Sequence, residues 1–189
     1  IVPDILRFED QSGDWLLSQG THSASAWADA IVLIPWRLYQ YYGNKKILEA
    51  FYGSMKRWID FMLQHSKDFL WNYKLQFGDW LALDAPEGSY FGATPNELTC
   101  TAYFAYSAGI FQKIAEALGH EEDKRAGREL HQSVRQAFCR EFLGEDGLLR
   151  VKTQTALALA LHFELLPVEH RRKNAEELKK KIQENGGCM

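Results

Sequence analysis

The sequence predicts an all-α fold made of helical hairpins, and two observations lead to that prediction. First, long apolar segments alternate with charged segments in which apolar residues recur at helical spacing. Second, glycine or proline stands where the apolar member of each pair would end. Apolar helices must be covered by neighbours, so we expect them to form an inner layer. These segments are residues 27–42, 97–118 and 153–166.

The first hairpin is predicted for residues 26–66, after an irregular lead-in of residues 1–25 that shows no sustained period. Its apolar helix begins at Trp27 and ends before Gly43, the residue type that most often closes a helix C-terminus. Pro35 in the interior of this buried helix predicts a kink. An amphipathic helix follows, and we expect it to lie on the outside.

The second and third hairpins are predicted for residues 94–143 and 153–186. Thr94 and Pro95 precede the second apolar helix, as helix-starting residues do, and Gly119 follows it. The charged segment after each apolar helix has the mixed signs of a solvated helix face. The apolar segments begin at unequal intervals, whereas solenoid repeats keep a nearly constant period, so a closed double ring is favoured over a solenoid.

Residues 67–93 are predicted to be a functional loop. Glycines, prolines and carboxylates interrupt the helical pattern there, while aromatic residues give the loop enough apolar surface to be tied down. In a double ring, the segments that lead into the inner helices gather at one mouth. We therefore expect residues 27–29, 78–80 and 153–155 to converge.

The predicted binding residues at this mouth combine indoles, which offer flat faces to a sugar ring, with carboxylates, which accept hydrogen bonds from sugar hydroxyls. They are Trp27, Trp80, Asp29 and Asp79, with Asp84 and Glu87 as further acceptors. The alternative for Trp27 is a place in the core, as is usual for a tryptophan at the start of a buried helix. The other tryptophans are assigned to packing, and they are Trp15, Trp36, Trp58 and Trp71.

Charge and cysteine content argue against several classes of partner. A net charge of -3 and a pI near 6.1 provide no basic surface for nucleic acid or an anionic membrane. No apolar run has the length that a membrane helix needs. The three cysteines show neither disulfide nor zinc spacing, so no metal or cofactor is predicted. The native compartment stays open, and the cytoplasm is favoured.

Four blocks of sequence, taken together, resemble one protein family. They are WADAIVLIPWRLYQYYG from Trp27, FGDWLA from Phe77, ATPNELTCTAYFAYS from Ala93 and TQTALALAL from Thr153. Their order and spacing are similar to those in the catalytic region of the bacterial alpha-L-rhamnosidases, glycoside hydrolase family 78. The resemblance implies an (α/α)6 barrel and inverting hydrolysis of terminal alpha-L-rhamnose from glycosides. It also implies a sugar pocket that uses residues like Trp27, Asp29, Asp79 and Trp80.

No catalytic residue is assigned within the chain. The resemblance implies a general acid and a general base that are both glutamates, and neither of the motifs that hold them occurs in this sequence. The predicted helices are also half of the twelve that such a barrel needs. Residues 1–189 are therefore predicted to form one domain that is about half of an (α/α)6 barrel. We expect the chain to be inactive by itself, and its unclosed edges predict self-association.

Two alternatives stay open at this point. One is a non-catalytic helical-repeat module that binds a protein or carbohydrate partner along a concave face. The other is a complete small hydrolase that uses Asp84 or Glu87, although a general acid needs an apolar enclosure that half a ring supplies poorly. With a protein partner, the first alternative predicts an open arc without affinity for sugars.

Overall fold

The computed structural model describes residues 23–187, and the helices in that range pair into three hairpins. The paired helices are α1 (Ala30–Tyr42) with α2 (Lys46–His65), α3 (Asn96–Leu118) with α4 (Glu121–Phe142), and α5 (Gln154–His162) with α6 (Val168–Glu184). The same residues contain no β-strand, only isolated bridges in loops. The predicted all-α fold of helical hairpins is confirmed.

The helix ends are formed by the residue types that the sequence pattern indicated. Gly43 and Gly119 close α1 and α3 with left-handed φ values of 68° and 79°. Glycine takes this conformation without the steric cost that a Cβ would add. Thr153 caps α5, since its Oγ1 accepts a hydrogen bond from Ala156 N at 3.2 Å. Pro35 is buried inside α1, and the helix continues past it.

Helix α3 lies at the centre of the molecule. It packs against α4 within its own hairpin, and it also contacts α1, α2 and α5. Most of its residues are buried, and small side chains let neighbouring helices approach closely. At Gly109, an added Cβ would lie only 3.0 Å from the His131 ring of α4. The largest fully buried side chains around α3 include Trp58, Trp71, Phe104 and Phe138, so the packing role predicted for the two tryptophans is confirmed.

The structure corrects the expectation that α1 is a buried helix. Only Val32 and Pro35 are buried in it, whereas Tyr41 and Tyr42 are 82% and 78% exposed. The physical reason is that α1 contacts only α2 and α3 among the helices of residues 23–187. Its apolar opposite face is therefore uncovered in the described part of the chain.

The third inner helix is shorter than the predicted segment 153–166. It ends at His162, and the chain then turns at Glu164, whose φ is 56°. Leu165 and Leu166 after the turn are nevertheless fully buried. Leu165 and Leu166 suggested a longer helix because they are apolar, but they are apolar because the turn is buried.

Part of the sequence prediction lies outside the described residues. Residues 1–22, which include most of the irregular lead-in and Trp15, are not described, and neither is Cys188. Between residues 23 and 187, no helix has the length and apolar character needed to cross a membrane. In that same range, no cluster of three or more histidine, cysteine, aspartate or glutamate side chains could hold a metal ion.

Candidate functional site

A cleft of about 360 Å³ lies where the three predicted segments meet. Its wall combines the turn before α1, the loop after α2 and the N-terminal parts of α3 and α5. We call it the indole cleft, and its lining residues are Ser25, Ala26, Trp27, Gly78, Asp79, Trp80, Thr99, Tyr103, Thr155 and Leu159. The expected convergence of the three segments is therefore observed. Of the four predicted binding residues, Trp27, Asp79 and Trp80 line this cleft.

A row of three aromatic rings forms one side of the indole cleft. The ring centroids of Trp27 and Phe77 are 5.0 Å apart, and those of Phe77 and Trp80 are 5.3 Å apart. Phe77 is 5% exposed, while Trp27 and Trp80 keep 43% and 36% of their surface exposed. The buried phenyl ring thus supports two indoles that remain accessible. Trp27 therefore does not lie in the core, which was the alternative considered for it.

The loop that contains Trp80 is closed by backbone pairing and ring packing. Gly92 N donates a hydrogen bond to Asp79 O at 2.8 Å, beside an antiparallel bridge between Trp80 and Phe91. Tyr90 stacks on Trp80 with centroids 5.4 Å apart and 19° between the ring planes. Phe77 and Phe91 also pack on Trp80 in T-shaped geometry, so a ligand can contact only the part of the indole that these three rings leave exposed.

The Asp79 carboxylate is held in the cleft by two threonine hydroxyls. Thr94 Oγ1 donates to Oδ2 at 2.7 Å, and Thr155 Oγ1 donates to Oδ1 at 3.0 Å. Because Thr94 has one hydroxyl proton, it must accept in its 2.6 Å contact with Thr153 Oγ1. This chain of hydroxyls joins the loop to the starts of α3 and α5. A carboxylate offers about four acceptor positions, so about two stay available for a ligand.

Asp29 lies behind the wall of the indole cleft and does not line it. It is fully buried, and its carboxylate accepts hydrogen bonds from Trp58 Nε1 at 3.0 Å, Ser107 Oγ at 2.6 Å and Ala26 N at 2.8 Å. Burial raises the pKa of Asp29, although these three hydrogen bonds act to lower it. Ala26 has a φ of 70°, a costly conformation for a residue with a Cβ. In this structure, Asp29 therefore holds the backbone that positions Trp27.

A second buried network ties the turn before α1 to the rest of the molecule. Gln76 Oε1 accepts hydrogen bonds from Ser25 N at 2.8 Å and from Cys100 Sγ at 3.2 Å. Trp71 Nε1 donates to Ser25 Oγ at 2.8 Å. Burial raises the pKa of the Cys100 thiol to about 12, so it stays protonated and can donate. Sequence reasoning missed Gln76 and Ser25, because such residues in loops normally face water and nothing in one sequence marks these two.

The further acceptors considered from the sequence lie away from the indole cleft. Asp84 and Glu87 are exposed on the outer part of the loop and do not line the cleft. Asp84 Oδ1 accepts a hydrogen bond from Ala93 N at 3.1 Å, which makes it part of the loop's own structure. Exposed carboxylates lack the apolar enclosure that a general acid requires. The geometry does not support a complete small hydrolase built on these two residues.

Paired helices around a cleft with indole faces and a fixed carboxylate define an all-α domain of the helical-hairpin class. The comparison with protein families then identifies the kind of domain. The chain belongs to the family described as the bacterial alpha-L-rhamnosidase six-hairpin glycosidase domain, whose sequence model matches residues 2–189. Three described hairpins are half of the six in that description, in agreement with the predicted half barrel.

Sequence relatives and solved structures agree with this assignment. The chain is 37% identical over 185 residues to an alpha-L-rhamnosidase of Formosa agariphila, with 97% of the chain and 19% of the relative covered. It is 40% identical over 151 residues to one of an Alteromonas species, with 77% of the chain and 16% of the relative covered. The chain thus spans less than a fifth of the length of either relative.

Two crystal structures are similar to the described fold. The Streptomyces avermitilis alpha-L-rhamnosidase complexed with L-rhamnose has a TM-score of 0.78 and 31% identity, with 88% of this chain and 15% of that chain covered. The native Aspergillus terreus enzyme has a TM-score of 0.82 and 33% identity, with 87% of this chain and 19% of that chain covered.

Proposed function

We propose that this chain is part of the catalytic domain of an inverting alpha-L-rhamnosidase, and that the indole cleft binds the terminal alpha-L-rhamnose of a glycoside. The relatives named above are alpha-L-rhamnosidases, and one of the similar structures contains L-rhamnose. The observation that supports the proposal most directly is the presence of two accessible indoles and a fixed carboxylate in one cleft. A non-catalytic helical-repeat module has no comparable support.

The side chains of the indole cleft have separate roles in this proposal. The exposed faces of Trp27 and Trp80 pack against the C–H surfaces of the sugar ring and exclude water from it. Asp79 accepts hydrogen bonds from sugar hydroxyls, and each such charge-assisted bond contributes about 1.5 to 3 kcal/mol. Asp29 contributes indirectly, by holding the backbone before Trp27.

The chain supplies a binding wall without a catalytic pair. Inverting hydrolysis needs two carboxyl groups about 6.5 to 9.5 Å apart, one as general acid and one as general base. Among the described residues that line the indole cleft, Asp79 is the only carboxylate, and threonines hold both of its oxygens. We therefore propose that the catalytic glutamates belong to other parts of a longer enzyme, and that this chain alone does not hydrolyse rhamnosides.

Kinetics of variants in the enzyme that contains this chain test the proposal. Trp80→Ala should lower kcat/KM for an aryl alpha-L-rhamnoside by about 30-fold or more, since it removes about 2 kcal/mol or more of aromatic contact. Asp79→Asn should lower kcat/KM by about 10- to 100-fold. The thermal stability of both variants should change little, because Trp80 is partly exposed and threonine hydroxyls can reverse to accept from an amide.

One matched variant serves as a control. Asp84→Asn removes a carboxylate from the loop that contains Trp80 but outside the cleft, so it should keep the wild-type kcat/KM. The proposal fails if Asp79→Asn and Asp84→Asn have equal kcat/KM, or if the isolated chain hydrolyses the rhamnoside at the rate of the longer enzyme.

A further inference from the structure

A second cleft, of about 310 Å³, opens farther along the inner helices. Its walls come from the C-terminal halves of α1 and α3, the turn after α5 and the outer helix α4. The indole cleft reaches α3 at Thr99, whereas this cleft extends to Lys113. The two clefts approach each other at Tyr103 and Tyr106, whose rings both contact Phe163. No described residue lines both clefts, so they are distinct but neighbouring pockets.

Three cations face the second cleft, which we call the cationic cleft. They are Arg37 of α1, Lys113 of α3 and Arg135 of α4, and none forms an ion pair with any carboxylate in residues 23–187. Glu164 is the only carboxylate among the described lining residues, and its Oε2 lies 3.7 Å from Arg171 Nη1 outside the cleft. The cleft therefore has a net positive charge.

Arg135 has a buried donor without an acceptor. Its Nε is inaccessible to solvent and makes no hydrogen bond to any described residue. Buried N–H groups are nearly always paired, because an unpaired one keeps the cost of losing water without compensation. Burial lowers the pKa of the neighbouring His131, and the charges of Arg135 and Lys113 lower it further, while its hydrogen bond with Ala105 O and the charge of Glu164 act to raise it. An anionic ligand in the cleft would offset this positive charge, whereas the buried Nε itself lies out of a ligand's reach.

Aromatic rings lie beside these cations. Tyr106 and Phe163 stack with their centroids 4.1 Å apart and 6° between their planes, and Trp36 also lines the cleft. Arg37 is oriented by Gln40 Oε1 at 3.1 Å and by Tyr106 Oη at 3.4 Å. An arginine held in this way presents its guanidinium plane in a fixed direction, which favours bidentate contact with a carboxylate or sulfate group.

We propose that the cationic cleft binds a ligand through an oxyanion group, a carboxylate or a sulfate, held by Arg37, Lys113 and Arg135. The group can belong to an acidic sugar, whose ring would meet the aromatic side chains, or to a free inorganic anion. This site does not depend on the function proposed for the indole cleft.

Isothermal titration of the full chain distinguishes these ligand sources. One pair of probes is D-glucuronate and D-glucose, which share the ring and differ in the carboxylate. The other pair is sodium sulfate and sodium chloride at equal ionic strength. Saturable binding of glucuronate without binding of glucose indicates an acidic sugar. Saturable binding of sulfate alone indicates a free or ester-linked sulfate group. If neither anion binds saturably, the proposal is wrong.

Charge-removing variants locate the binding. Arg135→Gln and Lys113→Gln should each lower the affinity for the anion by at least about tenfold, since each removes a charge-assisted contact. Arg128→Gln removes the same charge from an exposed position of α4 outside the cleft, and it should bind as the wild type does. Lys113 is exposed, so its variant provides the test if Arg135→Gln fails to fold. Equal affinity of Lys113→Gln and Arg128→Gln would overturn the assignment.

Discussion

Replacing Asp29 by asparagine tests whether a buried carboxylate positions one wall of the indole cleft. The substitution keeps the shape of the side chain and removes its charge. If the amide oxygen takes the place of Oδ1, the hydrogen bonds from Trp58 and Ser107 are kept. The amide nitrogen then faces Ala26 N, so two donors meet and the bond of 2.8 Å is lost.

The expected cost follows from that unpaired donor. Leaving one buried donor unsatisfied destabilises a protein by about 1 to 3 kcal/mol. Burial raises the folded-state pKa of Asp29 above the unfolded value of 3.8. Above that pH the unfolded state releases the proton first, so the wild type loses stability as pH rises through the folded-state pKa. Asp29→Asn lacks this titration, and its stability deficit should be largest in acid and smaller near neutral pH.

Urea unfolding of both proteins from about pH 4 to about pH 8 measures this difference. Trp58→Phe serves as a comparison, because it removes one donor to Asp29 but leaves the carboxylate in place. The free energy of unfolding of Trp58→Phe should stay below that of the wild type by an amount that does not shrink as pH rises, unlike the deficit of Asp29→Asn. A deficit of Asp29→Asn that stays constant or widens as pH rises would refute the reasoning, because the buried carboxylate would then favour its charged form.

Three other substitutions test separate parts of the fold by urea unfolding. Gly78→Ala should cost about 1 to 3 kcal/mol, because φ is 55° and the new Cβ would collide with the Asn96 side chain; an unchanged midpoint would contradict this. Asn174→Ala should cost about 2 to 3 kcal/mol, because this buried amide accepts from Leu149 N at 3.0 Å; a loss below about 1 kcal/mol would count against it. Lys56→Met should change stability by less than about 1 kcal/mol, because its ion pair is partly exposed; a larger loss would contradict that estimate.

The hairpins were predictable because their signals are local. Helical spacing of apolar residues, Gly43 and Gly119 at helix ends and Thr153 at a helix start all act within a few residues of where they stand. The placing of Trp80 was predictable for a related reason. It lies in an irregular loop, where an aromatic side chain has fewer neighbours to cover it than in a helix.

The role of Asp29 was not predictable, because it depends on distant residues. The sequence shows an aspartate beside Trp27, but the direction of its side chain follows from the turn at Ala26 and from donors on Trp58 and Ser107. The spacing of residues along the sequence indicates neither of these donors. The exposure of α1 has the same origin, since an apolar period indicates that a face needs cover and does not indicate which segment covers it.

Helix α3 and the residue before its cap connect the two walls of the indole cleft. Ser107 on α3 holds Asp29, which fixes the backbone before Trp27. Thr94, one residue before the cap of α3, holds Asp79, and it also joins that carboxylate to the start of α5. Both walls of the cleft are thus attached to one central helix. A change that shifts α3 should therefore move the indoles and the carboxylate relative to one another, even if no lining residue is altered.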